Sequence, residues 1–304
     1  MEIAPILVTV YNREKHFKKC IESLKKCDLA SKSHLFVAID APYRDLDIAD
    51  NERIVKYSKN ITGFKEVTLF IRPEDFGTNK NGDQARDEIF NNYDRLIMSE
   101  DDNVFSTQFL FTINKCLEIY NNRSDIFSVS GWNMPFSMPK KYKNEIYIWQ
   151  GFSAWGVGIW RDKWKQMNYS LDKVQYWLYN KQHIRKINKV SQHYYYALLD
   201  MKNKNSIHGD GFICNYLVEH EMYSVYPIKT LTRNIGQDGT GNSKFLHTKV
   251  KNQKINNDLI HKLPFDIEPD KDINNRLWWY FSNVNRFKDR FIHLYLKILT
   301  IIKC

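Results

Sequence analysis

Between residues 4 and 133 the chain alternates between two hydrophobic periods, and this restricts the fold more than any other feature. "APILVTVY" (4–11) is a continuous apolar run, suited to a strand covered on both faces. In "REKHFKKCIESLKK" (13–26), Phe17, Cys20, Ile21 and Leu24 recur at helical spacing. The pattern then repeats. Strands are expected at 34–40, 66–72, 94–100 and 125–133, and helices at 48–59, 79–93 and 106–121. Strand–helix alternation predicts an α/β fold, with a mostly parallel sheet flanked by helices. In such sheets ligands bind beyond the carboxyl ends of the strands.

Those ends carry the notable chemistry. "DRLIMSEDD" closes its strand on three consecutive acids, Glu100, Asp101 and Asp102. Adjacent carboxylates repel one another, so they need a cation, a set of donors or open water. A hard divalent cation, Mn²⁺ or Mg²⁺, prefers oxygen ligands of this kind. A solvated turn, with Asp102 or Asn103 capping the next helix, is the alternative. Asp40 ends the second strand, and Thr9, Tyr11 and Arg13 lie at the end of the first. Three segments therefore converge on one crevice.

After residue 133 the alternation weakens. An aromatic stretch follows, then a polar helical region over 171–202, a glycine turn and helix over 208–222, a short strand over 223–228 and the glycine-rich loop "NIGQDGTGNS" (234–243). The formal charge of +10 implies an anionic partner, but no basic run with interleaved aromatics points to nucleic acid. Five scattered cysteines without a CxxC pattern argue against a zinc site or a disulfide framework, which makes a cytoplasmic setting the expectation. "MEIAPILVTVYN" lacks the features of a signal peptide.

Taken in order, "PILVTVYNREKHFKKCIESL", "FVAIDA", "LIMSEDDNVFSTQFL", "SVSGWN", "GFSAWGVGIWRDKW" and "HGDGF" resemble glycosyltransferases of the GT-A (Rossmann-like) fold. The pattern is that of family 2, with similarity to the family-13 N-acetylglucosaminyltransferases. The likeness covers residues 4–240, and 165–205 matches no named pattern. It implies an inverting transfer of a sugar from a nucleotide-diphosphate donor, UDP-linked, to a sugar or lipid-linked sugar acceptor. EDD then stands for the family's acidic motif. Asp102 holds the metal, while Asp101 and Glu100 contact ribose, sugar or water. Thr9, Tyr11, Arg13, Asp40, Asn79 and Arg86 surround the nucleotide, with Asp40 accepting from the uracil ring. Arg13 also suits an exposed helix start, Asp40 a turn, and Arg86 a solvated helix face.

The resemblance makes Asp210, in "HGDGF", the general base. An N-cap for the helix that follows is the plainer reading. Glu219 and Glu221 are runners-up in that helix. Trp132, Trp155 and Trp160 suit either a core or a floor beneath a sugar ring, and the resemblance favours Trp155 for the sugar. The 234–243 loop takes the place of a lid with glycines 236, 239 and 241 as hinges, and His247 that of a second metal ligand. A sugar-phosphate nucleotidyltransferase is the rival enzyme, although "VTVYNREKH" lacks that class's glycine-rich loop. A non-catalytic sugar- or nucleotide-binding protein is the rival outside enzymes.

We divide the chain into a catalytic domain over 1–265 and a basic C-terminal extension over 266–304. Phe291, Leu294, Tyr295, Ile298, Leu299 and Ile302 repeat at helical spacing among lysines and arginines. Such a helix suits either an anionic membrane surface, on the inner face of the cytoplasmic membrane, or docking on the domain.

Overall fold

The computed structural model describes residues 1–238, 250 and 252–285. Its first half follows the sequence pattern. Strands β1 (Ile6–Val10), β2 (His34–Ile39), β3 (Glu66–Ile71) and β4 (Arg95–Glu100) alternate with helices α1 (Glu14–Leu24), α2 (Ile48–Ser58) and α3 (Gly77–Ile89). Phe17, Cys20, Ile21 and Leu24 are all buried on the inner face of α1. α3 starts at Gly77, so the turn-forming residues 79–83 lie inside the helix.

Beyond Asp102 the chain builds β5 (Asn103–Phe105), α4 (Phe109–Ile119), β6 (Ile126–Ser130), β7 (Ile146–Trp149) and β8 (Val157–Trp160). Helices α5 (Arg161–Lys165), α6 (Leu171–Tyr179), α7 (Lys181–Val190), α8 (Gln192–Lys204) and α9 (Gly209–Glu219) follow. Strands β9 (Tyr223–Pro227) and β10 (Thr232–Asn234) and helix α10 (Lys271–Tyr280) complete the described elements.

The main sheet has eight strands in the order β3-β2-β1-β4-β8-β6-β9-β7. It is mixed and mostly parallel. β8 runs antiparallel between β4 and β6, and β7 runs antiparallel to β9 at the edge. Both antiparallel strands come from the aromatic stretch, where the period-two signal is masked because every position is buried. Gly158 permits the insertion, since a side chain there would strike Ile113 and Leu117 of α4.

The region 171–202 is three helices rather than one. Ser170, Asn180 and Ser191 each cap the helix that follows them, accepting from the N–H of Lys173, of Gln182 and His183, and of His193 respectively.

Two features position the crevice. β5 and β10 form a separate antiparallel ribbon, with Asn103 opposite Asn234, which lays residues 234–238 over the acidic motif. The extension docks on the domain as far as it is described. Ile273 and Leu277 are buried, the Phe281 ring stacks on Trp149 at 5.4 Å, and Trp278 donates through Nε1 to the Asn188 carbonyl. Residues 286–304, including the apolar repeat, lie outside the described residues. Among the described residues no helix is long and apolar enough to cross a membrane.

Candidate active site

The site forms where β1, β2 and β4 end side by side. Thr9 stands in register with Ala38 on one side and Glu100 on the other. α3 passes over this point closely enough that a Cβ on Gly82 would sit 3.6 Å from the Thr9 methyl.

Arg13, just ahead of α1, reaches the acidic motif. Its Nη2 pairs with Asp101 Oδ1 and its Nη1 with Asp102 Oδ2 at 2.8 Å. Burial works against the guanidinium charge, but the two aspartates outweigh it and raise its pKa. Asp102 is further held by Asn234, whose Nδ2 donates to Oδ1 at 2.6 Å, and by the Ile235 N–H, which donates to its carbonyl at 2.7 Å. Gly236 packs against the same carboxylate. A Cβ there would overlap Asp102 Oδ2 and lie 2.7 Å from Arg13 Nη1. His16 and Asp238 pair at 3.0 Å on the outer side. The 234–238 segment is thus fastened across the motif. Gly239, Gly241 and His247 lie outside the described residues.

Burial pushes the Glu100 carboxyl up to about 8, with further contributions from Asp102, Asp210 and Asp101. Asp101 rises to about 6 for the same first reason, with Arg13 opposing the rise. Asp210 therefore lies within electrostatic reach of the motif. It belongs to the first turn of α9, where the helix dipole favours a negative charge. His208 occupies the N-cap position, so the capping reading of Asp210 does not hold. The Ala154 N–H points at Asp210 Oδ2 from 3.4 Å. Asp210 is open to water, and desolvation by the protein around it raises it to about 6.

The other candidates are placed as follows. Tyr11 donates to Asp47 Oδ2 at 2.9 Å and accepts from the Tyr43 N–H at 2.8 Å, while Asn12 donates to Asp47 Oδ1 at 2.8 Å. Arg44 grips both oxygens of that aspartate. Asp40 uses Oδ1 to accept from the N–H groups of Ala41 at 3.1 Å and Phe76 at 2.9 Å, joining the ends of β2 and β3 to α3. Asn79 donates to the Ile207 carbonyl at 3.2 Å, which ties α3 to the approach to Asp210.

Arg86 is buried rather than on a solvated face. Asp83 and Asp87 hold it, and its guanidinium lies 4.8 Å from the centre of the Trp164 ring. Trp160 is core, donating to the Leu117 carbonyl. Trp155 is partly open and meets Trp132 edge-on at 4.7 Å. Glu219 pairs with Lys173 at the far end of α9. Glu221 lies beyond the helix end, exposed and paired with Lys186. Neither faces the site.

Sequence reasoning missed Asp47, Arg44, Asn234 and His16. Only Asn234 carried a readable signal, as the first residue of the glycine-rich loop. The others matter through contacts between distant segments.

In kind, the donors suit a hard cation. Three carboxylates stand together at a strand end, and Gln237, in the segment above them, has a buried Oε1 with no hydrogen-bond partner. Among the described residues, no group of three or more His, Cys, Asp or Glu side chains is arranged to hold a cation by itself. Arg13 and Asn234 hold oxygens of Asp101 and Asp102.

No family model and no curated protein matches the chain. Among solved structures, it is similar to residues 1–349 of S. aureus TarS in complex with UDP-GlcNAc. Identity is 15%, over 51% of this chain and 45% of that one, with a TM-score of 0.37. It is also similar to the mannosyltransferase PcManGT from Pyrobaculum calidifontis in complex with GDP-Man and Mn²⁺. There identity is 12%, over 72% of this chain and 76% of that one, with a TM-score of 0.37. The chain spans less than half of either further TarS structure, 28% of one and 47% of the other. Likeness at this level carries no argument about the activity or substrate of this chain.

Proposed function

We propose that this protein is an inverting glycosyltransferase that moves a sugar from a nucleotide-diphosphate donor, UDP-linked, to a sugar hydroxyl. The observation that carries this reading is the approach of Asp210 to the Glu100–Asp102 motif at the carboxyl end of the sheet. One carboxylate group is suited to the donor side and one lone carboxylate to the acceptor side, across a single cleft.

Asp210 acts as the general base. An inverting transfer needs a carboxylate that takes the acceptor's proton as the new bond forms on the face opposite the diphosphate. A pKa of about 6 leaves Asp210 ionised at neutral pH yet more basic than a free aspartate. Its place in the first turn of α9 keeps it on a rigid element. Thr9, Tyr11, Arg13, Asp40, Asn79, Arg86 and Asp101 form the nucleotide side, with Tyr11 fixed in place by Asp47. Glu100 and the open part of Trp155 meet the transferred sugar.

Asp102, joined by a carboxylate of its neighbours, is the ligand for Mn²⁺ or Mg²⁺. When bound, such a cation stabilises negative charge on the departing diphosphate as a Lewis acid. A lipid-linked sugar acceptor, and contact of residues 286–304 with an anionic membrane surface, complete the proposal.

The test is isothermal titration of UDP with and without Mn²⁺, on the wild type and on Asp102→Ala. The reading requires binding that depends on both the metal and Asp102. Equal binding in all four conditions would leave the acids as buried partners of Arg13 and Asn234 with no metal role.

A further inference from the structure

We infer that Arg13 is a built-in counter-cation that competes with a divalent metal for Asp101 and Asp102, and so sets how tightly the metal binds. The inference rests on the proposed reading of Asp102 as a cation ligand.

The geometry is that of a site in which both oxygens of Asp102 and one of Asp101 are already held. Asp102 Oδ1 accepts from Asn234, and Oδ2 accepts from Arg13 at 2.8 Å with Gly236 packed against it. Asp101 Oδ1 takes the other arm of the same guanidinium. The two carboxylate side chains are only 6% and 9% exposed, whereas the Arg13 side chain is 21% exposed. Arg13 is therefore the member of the group most open to water.

A forked guanidinium bridging two carboxylates satisfies much of the same charge and lone-pair demand that a cation would. A guanidinium and a divalent cation on the same carboxylates repel each other, so each weakens the hold of the other. Arg13 is more open than either aspartate, and its backbone stands just ahead of α1, where its carbonyl accepts from the Phe17 N–H. Its side chain can leave the carboxylates without breaking that backbone bond. The diphosphate of a bound donor would offer the released guanidinium a new anionic partner, so donor and metal should each favour the other's binding.

The test is calorimetric titration of Mn²⁺ alone, in the absence of donor, into the wild type, Arg13→Ala, Arg13→Lys and Asp102→Ala. Competition predicts that Arg13→Ala binds Mn²⁺ at least tenfold more tightly than the wild type. Arg13→Lys should fall between them, because it keeps the charge and loses the fork. Asp102→Ala should not bind. If Asp102→Ala abolishes binding while Arg13→Ala leaves the affinity unchanged or weaker, competition is overturned and the cation site stands. If neither the wild type nor Arg13→Ala binds Mn²⁺ at millimolar concentration, even with UDP added, competition and the cation reading fall together.

Discussion

Glu100, at the last position of β4, and Asp210, in the first turn of α9, lie close enough that Asp210 adds to the rise that burial and Asp102 give the Glu100 carboxyl. Within the proposed function, this relationship divides the cleft into a donor side and an acceptor side.

Asp210→Asn keeps the shape of the side chain and removes its basicity. Turnover is expected to fall roughly 10²–10⁴-fold, the usual contribution of a general base. Nucleotide binding should be unchanged, because the proposed function puts Asp210 on the acceptor side, away from the diphosphate. Steady-state rates and UDP titration on the same preparation check both halves.

The pH profile follows from the same residue. Asp210 must be ionised to accept a proton, so the rate should rise with pH through about 6 and flatten above it. The inflection belongs to the coupled cluster and not to Asp210 alone, since Glu100 and Asp101 titrate nearby. A rate that falls between pH 5 and 7 would contradict the base assignment.

Glu100 gives a stability test that needs no substrate. Its folded pKa of about 8 lies above the ordinary glutamate value of 4.5, so the native state holds this proton longer than the unfolded chain does. Stability contributed by the protonated form is therefore lost as pH rises from the unfolded value through about 8. Glu100→Gln resembles the protonated form at every pH. It should melt close to the wild type at pH 5 and about 2 °C or more above it at pH 9, a shift that corresponds to roughly 1 kcal/mol.

Asp47 organises the loops after β1 and β2 through Tyr11, Asn12 and Arg44. Asp47→Ala leaves those three donors without their shared acceptor. Donor affinity is expected to weaken about tenfold, equivalent to roughly 1.4 kcal/mol, with a smaller effect on turnover. Titration with UDP measures it directly.

The parallel half of the fold was legible because its signals are local. The period of α1 and the apolar run of β1 depend on no distant contact. β7 and β8 were not legible. Fully buried strands in an aromatic stretch show no alternation, and their antiparallel pairing depends on β9, β4 and β6, far off in sequence. The caps Ser170, Asn180 and Ser191 were readable in principle, since each is a residue type that ends one helix and starts the next.

In the site, the acids could be read as a cluster from their adjacency. Their pairing with Arg13 could not, because it requires α1 and β4 to be neighbours through β1. Asp47 was hidden for the same reason. Nothing in "RDLDIAD" marks it as the shared acceptor of Tyr11 and Asn12.

The most direct measurement is release of UDP from a panel of UDP-sugars, with Mn²⁺ and simple sugar acceptors, by the wild type and by Asp210→Asn. The proposed function predicts release from at least one donor, stimulated by an acceptor and lost in Asp210→Asn, with a product of inverted anomeric configuration. No release from any donor, or equal release by both proteins, would contradict it.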